Sequence, residues 1–139
     1  MSADFEKKHY GDSAFAQSSF SEIVTVKGPG RLLFLAGIGA EDTDDAAGGV
    51  RHAGDAYGQS RYAFEKAARL LAKHDATMSD IVKITAYLVD VRDRPYYQAA
   101  RKEALANVAA LPAHTLLVVS NLARPGMLVE IDIVAATPA

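Results

Sequence analysis

Two β-rich runs close this chain, and they constrain its fold more than any other feature. Residues 111–119 read LPAHTLLVV and residues 128–135 read LVEIDIVA, joined through a turn built on Ala123-Arg124-Pro125-Gly126. Each run carries one ionisable residue where an apolar one would pack more readily. His114 stands at the mouth of the first and Glu130 inside the second. Burying charge is costly unless it is paired or used. Read as adjacent strands, the runs bring an imidazole and a carboxylate together as a small-molecule site. The alternative reading is a surface His and a solvent-facing Glu.

Upstream, the pattern alternates between periods. Residues 22–26 read as a strand, Lys27-Gly28-Pro29-Gly30 as a turn, and residues 31–37 as a second strand antiparallel to the first. Residues 55–73 turn helical, with Tyr57, Phe64, Ala67, Ala68 and Leu71 close to one face and Asp55 as the cap. A β-branched strand follows at 81–89. A second helix starts after Asp93-Arg94-Pro95 and runs to about Val108, with the proline early, where its missing N–H does no harm. The order strand, strand, helix, strand, helix, strand, strand is that of an α+β layer with both helices on one face of a mixed sheet. Apolar residues on both parities of the strands leave the second face needing cover. A homo-oligomer that packs sheet against sheet supplies it.

Residues 1–19 are polar and weakly patterned and are expected to form an arm on a single domain spanning 20–139. The loop after the second strand holds Glu41, Asp42, Asp44 and Asp45 but lacks calcium-loop spacing, so it reads as a solvated acidic loop. His9, His52, His74 and His114 are too scattered for a local metal site, and no metal is expected. Tyr62, Tyr96 and Tyr97 read as core or interface residues. Phosphate-loop, dinucleotide, zincin and nucleophile-elbow motifs are absent.

The net charge of −2 argues against a nucleic-acid surface. A chain without cysteine excludes thiolate chemistry and fits a reducing cytoplasm. No run approaches the roughly 20 apolar residues of a membrane span, and the first ten residues contain no signal-peptide core. The expectation is a soluble, cytoplasmic protein.

From about residue 20 to 135 the ordered pattern resembles the Rid (YjgF) family. The matching pieces are Gly30-Arg31-Leu32-Leu33-Phe34-Leu35-Ala36-Gly37, then Gln59-Ser60-Arg61, then residues 79–90 (SDIVKITAYLVD). Pro112-Ala113-His114-Thr115 and Val129-Glu130-Ile131 complete the series. The resemblance implies a chorismate-mutase-like (bacillus-type) α+β fold that forms a homotrimer with clefts between subunits. It also implies cofactor-free hydrolysis of reactive enamines or imines to a keto compound and ammonia, as a hydrolase acting on C–N bonds. In the best-characterised subgroup an Arg stands at the position of His114 and grips the substrate carboxylate bidentately. A Glu at the position of Glu130 helps to position or activate water, and the backbone around Leu116 contributes to the pocket. A Tyr stands at the position of Phe20, and a Gly-Gln pair reads Gly37-Ile38 here.

These departures imply a divergent member with a substrate other than 2-aminoacrylate. Aminomuconate-type ring-fission products are one candidate class. The expected catalytic residues are Glu130 and His114, and the expected substrate contacts are Phe20, Ile38, Arg101, His114 and Leu116. Arg101, on the second helix three residues after Gln98, is the candidate replacement anchor; its alternative is a solvated helical Arg. His114 beside an ionised Glu130 is expected to favour its protonated form and to titrate near neutrality. Two functions follow: a hydrolytic deaminase, or a non-catalytic trimer that binds a small metabolite. A ribonuclease role is disfavoured by the acidic balance.

Overall fold

In the computed structural model, which describes residues 4–16 and 18–139, the chain runs β1 (Glu6–Tyr10), β2 (Ile23–Lys27), β3 (Gly30–Phe34), α1 (Ala56–Ala72), β4 (Ile81–Leu88), α2 (Arg94–Ala104), β5 (Ala113–Val118) and β6 (Val129–Pro138). The main sheet has the order β3-β6-β4-β5, with β5 parallel to β4 and the other pairs antiparallel. Both helices cover one face. A mixed sheet under two helices is the expected α+β layout.

Pairing corrects the sequence reading in two places. The strand at residues 22–26 does not form a hairpin with the next one: β2 pairs antiparallel with β1, inside the segment read as an arm. The turn between β2 and β3 has Gly28 at φ +88, a conformation that glycine adopts without strain. It swings the chain away from β2 and out to the far edge of the sheet, where β3 lies on β6. Ser21 bridges Ala113 at the opposite edge, and its N–H donates to Pro112 O at 3.0 Å. The β1–β2 ribbon therefore runs across the end of the sheet where β5 starts and β6 finishes. The second correction is that β5 and β6 are not neighbours; β4 lies between them.

Helix α1 starts at Asp55, whose carboxylate accepts the Gly58 N–H at 2.9 Å, a cap worth about 1 kcal/mol. Its face of Ala63, Phe64, Ala67 and Leu71 packs on Ile84, Ala86, Ile131 and Ile133. Helix α2 ends at Ala104, short of the expected Val108, and buries Tyr97, Ala100 and Arg101. Gln59, fully buried, ties the layers together. Its side chain donates to His52 O and Gly126 O and accepts the Leu128 N–H at 2.8 Å.

The uncovered face is more polar than the sequence reading expects. Leu33, Leu35, Ile84 and Ala86 all turn toward the helices. The other parity presents Lys83, Thr85, Tyr87, Thr115 and Asp132 at its centre, where Tyr87 donates to Asp132 at 3.1 Å and Lys83 to Thr115 at 2.8 Å. Exposed apolar side chains gather at its rims: Leu32 and Phe34 on β3, the latter 73% exposed, and Leu117 on β5. No helix among the described residues is long and apolar enough to cross a membrane.

Candidate functional site

Register decides where His114 and Glu130 point. His114 pairs with Ile84 of β4, whereas Glu130 pairs with Tyr87. Ile84 and Tyr87 are three residues apart, and strand side chains alternate, so they leave opposite faces of the sheet. His114 faces the helices; Glu130 faces the uncovered side. One chain does not bring the two together, which corrects the expectation of an imidazole beside a carboxylate.

On the helix side, His114 Nε2 lies 2.7 Å from the Tyr97 hydroxyl, and the rings are tilted at a centroid distance of 5.7 Å. Burial raises the Tyr97 pKa, so the phenol stays neutral, and which of the two groups donates is set by the imidazole tautomer. Burial, then Arg101 and Lys83, push the imidazole down to about 3. His114 is neutral at physiological pH, and the expected near-neutral titration is replaced by a suppressed one.

Arg101 lies one helical turn after Tyr97 and is 8% exposed. It is not the solvated surface Arg of the alternative reading. Its burial lowers the guanidinium pKa, and Tyr97 is the neighbour that opposes this. Leu116 packs against the core from the same face as His114. Phe20, between Ser19 on the rim of the groove that Arg101 lines and Ser21 bridged to Ala113, is edge-on to Phe15 with ring centroids 6.2 Å apart.

On the opposite side, the Glu130 carboxyl is tucked against the bare backbone of Gly37, with Cδ 2.9 Å from where a Cβ would stand and Oε2 closer still. A side chain at position 37 would displace it. Desolvation, then Glu41 and Asp132, raise the Glu130 pKa. Ile38 exchanges two backbone hydrogen bonds with Ile131, at 2.9 and 2.8 Å, and its side chain joins the core. These bonds fix Gly37 beside β6. Gly37 also lines a cleft of about 540 Å³ between its loop and α1, walled by Glu41, Lys66, Arg69 and Lys73. Lys66 is committed there: it donates to Glu41 O at 2.7 Å and pairs with the Glu41 carboxylate at 3.6 Å. In the acidic loop beyond, Asp42 and Asp45 accept backbone N–H groups of Asp44, Ala47 and Gly49 and so build the turns.

The expected His114 and Arg101 thus sit at one end with Tyr97, and the expected Glu130 at another with Gly37. Sequence reasoning took Tyr97 for packing alone and missed Gly37 as the seat of the carboxyl. The spacing of Tyr97, Ala100, Arg101 and Ala104 on one helical stripe was the available signal for the first. Nothing local signals the second, because Gly37 and Glu130 meet only through the β3–β6 pairing.

The family sequence pattern described as endoribonuclease L-PSP matches residues 11–137. The chain belongs to the Rid (YjgF) family. A solved Rid-family protein of unknown function from Yersinia pestis, YyfB, is 23% identical, with a TM-score of 0.81 over 94% of this chain and 98% of that one. A second from the same organism, YyfA, is 21% identical, with a TM-score of 0.69 over 95% and 100%. A protein of unknown function from Pseudomonas aeruginosa is 28% identical, with a TM-score of 0.66 over 94% and 92%. No curated protein matches the chain. These similarities place the two helices and mixed sheet of this Rid protein in the family fold.

Proposed function

We propose that this Rid protein is a cofactor-independent hydrolytic deaminase acting on a reactive enamine or imine other than 2-aminoacrylate. The observation that carries the reading is the Glu130 carboxyl, partly buried on an uncovered sheet face, seated on a glycine and with its pKa raised. A carboxyl whose pKa is raised is a stronger general base than an ordinary carboxylate. Hydrolysis of an imine needs such a base twice. Glu130 takes a proton from water as its oxygen adds to the C=N carbon and delivers it to the nitrogen, giving the carbinolamine; it then takes the hydroxyl proton and passes it to the amino group, so that ammonia leaves as the C=O bond forms.

Because Glu130 and the His114–Arg101 end lie on opposite faces of one chain, the reading requires an assembly. A homotrimer would set Glu130 of one subunit against the His114 and Arg101 end of the next. Exposed Leu32, Phe34 and Leu117 at the rims of the uncovered face support such packing. Arg101 would hold the substrate anion there, with Phe20, Ile38 and Leu116 shaping the apolar surround.

One observation favours a second reading, a trimer that binds a metabolite without turning it over. His114 is neutral and held by Tyr97, so it offers a substrate no charge. Ammonia release from a panel of enamines and 2-imino acids generated in situ separates the two. The deaminase reading expects acceleration over buffer, a loss of roughly 10²- to 10⁴-fold in Glu130→Gln, and a rising pH limb above the ordinary carboxylate range. Binding without acceleration supports the second reading, and a monomer in dilute light scattering overturns the intersubunit site.

A further inference from the structure

Glu130 has a second carboxylate beside it, and the loop after β3 is built to keep it there. Ile38 exchanges backbone hydrogen bonds with Ile131 and turns its side chain into the core. Gly37 and Gly39 therefore face the other way. Each glycine seats one carboxylate. Glu130 rests on Gly37, while Glu41 Oε1 accepts the Gly39 N–H at 2.9 Å and lies 2.9 Å from where a Gly39 Cβ would stand. Alternate residues of an extended chain are roughly 7 Å apart, which sets the spacing of the two seats. A charge at that separation acts within one Debye length of about 8 Å, and partly buried charges are screened less than exposed ones.

Glu41 is an unfavourable residue to hold here, because it faces a like charge and its side chain is 27% exposed. Helix α1 holds it in place. Lys66 donates to the Glu41 carbonyl at 2.7 Å and approaches Oε1 at 3.6 Å. Lys66 Nζ stands 5.0 Å from the centre of the Tyr62 ring, and Arg51 lies over the same ring at 4.8 Å. The Tyr62 hydroxyl accepts the Thr43 N–H at 3.1 Å, and Glu41 bridges Val50 to close the loop at its base. Loop closure needs the Val50 bridge and the Thr43 bond, but it does not need a charge at position 41.

The other groups facing Glu130 are Asp132, two residues along β6, and Tyr87, opposite on β4. Tyr87 donates to Asp132 at 3.1 Å and so offsets part of that charge. On the same face β5 contributes Leu117 and β3 contributes Phe34, neither of them charged. Burial raises the Glu130 pKa most, Glu41 next and Asp132 last. Glu41 is the neighbouring charge supplied by a separately anchored element.

We propose that Glu41, held on α1 by Lys66 and Tyr62, is a positioning residue for the reaction at Glu130, its charge making Glu130 a stronger base than the sheet face alone would. This deepens the deaminase reading and rests on it for the reaction that the base serves.

Carboxyl carbon NMR of the full chain with labelled glutamate follows Glu130 through a pH titration, with Glu130→Gln assigning the signal. Glu41→Gln keeps the shape of the side chain and the acceptor for the Gly39 N–H, and leaves Lys66 without its counter-charge. The Glu130 midpoint is expected to move to lower pH in this variant, with the melting temperature nearly unchanged. Glu41→Gln with Lys66→Met removes both charges and is expected to bring the midpoint back toward the wild-type value. A loop that had merely loosened would instead move the double variant further than the single one. In turnover, Glu41→Gln is expected to shift the rising pH limb of ammonia release the same way and to lower the plateau rate ~3- to 10-fold. An unmoved midpoint in Glu41→Gln, a double variant displaced further than the single one, or an unchanged plateau rate would overturn the proposal. The titration is read without substrate. A wild-type protein that releases no ammonia therefore sinks the deaminase reading, whereas an unmoved midpoint in an active protein sinks the role of Glu41 alone.

Discussion

Acidification should destabilise this protein through His114, and the structure sets the size of the effect. The imidazole is held neutral, its pKa depressed from 6.5 to about 3, by burial first and by Arg101 and Lys83 next. The unfolded chain takes up the proton at its ordinary pKa, whereas the folded one refuses it until far lower pH. The stabilising contribution is therefore complete above about pH 6.5 and is lost progressively as pH falls toward 3. At about 1.4 kcal/mol per unit, the full span amounts to at most ~5 kcal/mol, and about 3 kcal/mol of it is gone by pH 4. His114→Gln isolates this part, because the amide can still share a hydrogen bond with Tyr97 but does not titrate. Urea unfolding of both proteins from pH 7.5 to 4 should give a wild-type loss exceeding that of the variant by about 3 kcal/mol. Parallel curves, or an imidazole NMR titration placing His114 near 6.5, would refute the neutral, Tyr97-bound histidine.

Gln59→Leu should remove about 2–4 kcal/mol of stability, because it strands the Leu128 N–H and the Gly126 carbonyl in the interior; chemical denaturation measures it directly. Gly37→Ala should leave the melting temperature within a few degrees but cut turnover at least ~10-fold, since the new methyl displaces only the mobile end of Glu130. Full activity with a correctly folded Gly37→Ala protein would show that the seat of the carboxyl does not matter.

The sequence carried the architecture well and the pairing poorly. Period-3.6 stripes on 55–73, the Asp55 cap and the early Pro95 locate both helices, because those signals act within a few residues. The partner of a strand is a different kind of question. Residues 22–26 and 31–37 flank a strong turn and look like a hairpin, yet β2 takes its partner from Glu6–Tyr10, whose alternation is carried by lysine, histidine and tyrosine and reads as polar chain. The same limit hid the geometry of the site. His114 and Glu130 were legible as misplaced ionisable residues, but the strand between them decides the face each one takes. Arg101 was legible as a cation on the second helix. Its burial followed from sharing a helical stripe with Tyr97, Ala100 and Ala104, which its charge obscured.

The central claim, a reaction centre completed between subunits, is tested most directly by complementation. Glu130→Gln and Arg101→Gln chains, each inactive alone, are co-expressed in equal amounts and ammonia release is measured on the mixed assembly. If Glu130 of one subunit works with Arg101 of the next, random mixing restores about one quarter of the sites and of the wild-type rate. A mixed assembly no more active than either variant by itself would contradict the account.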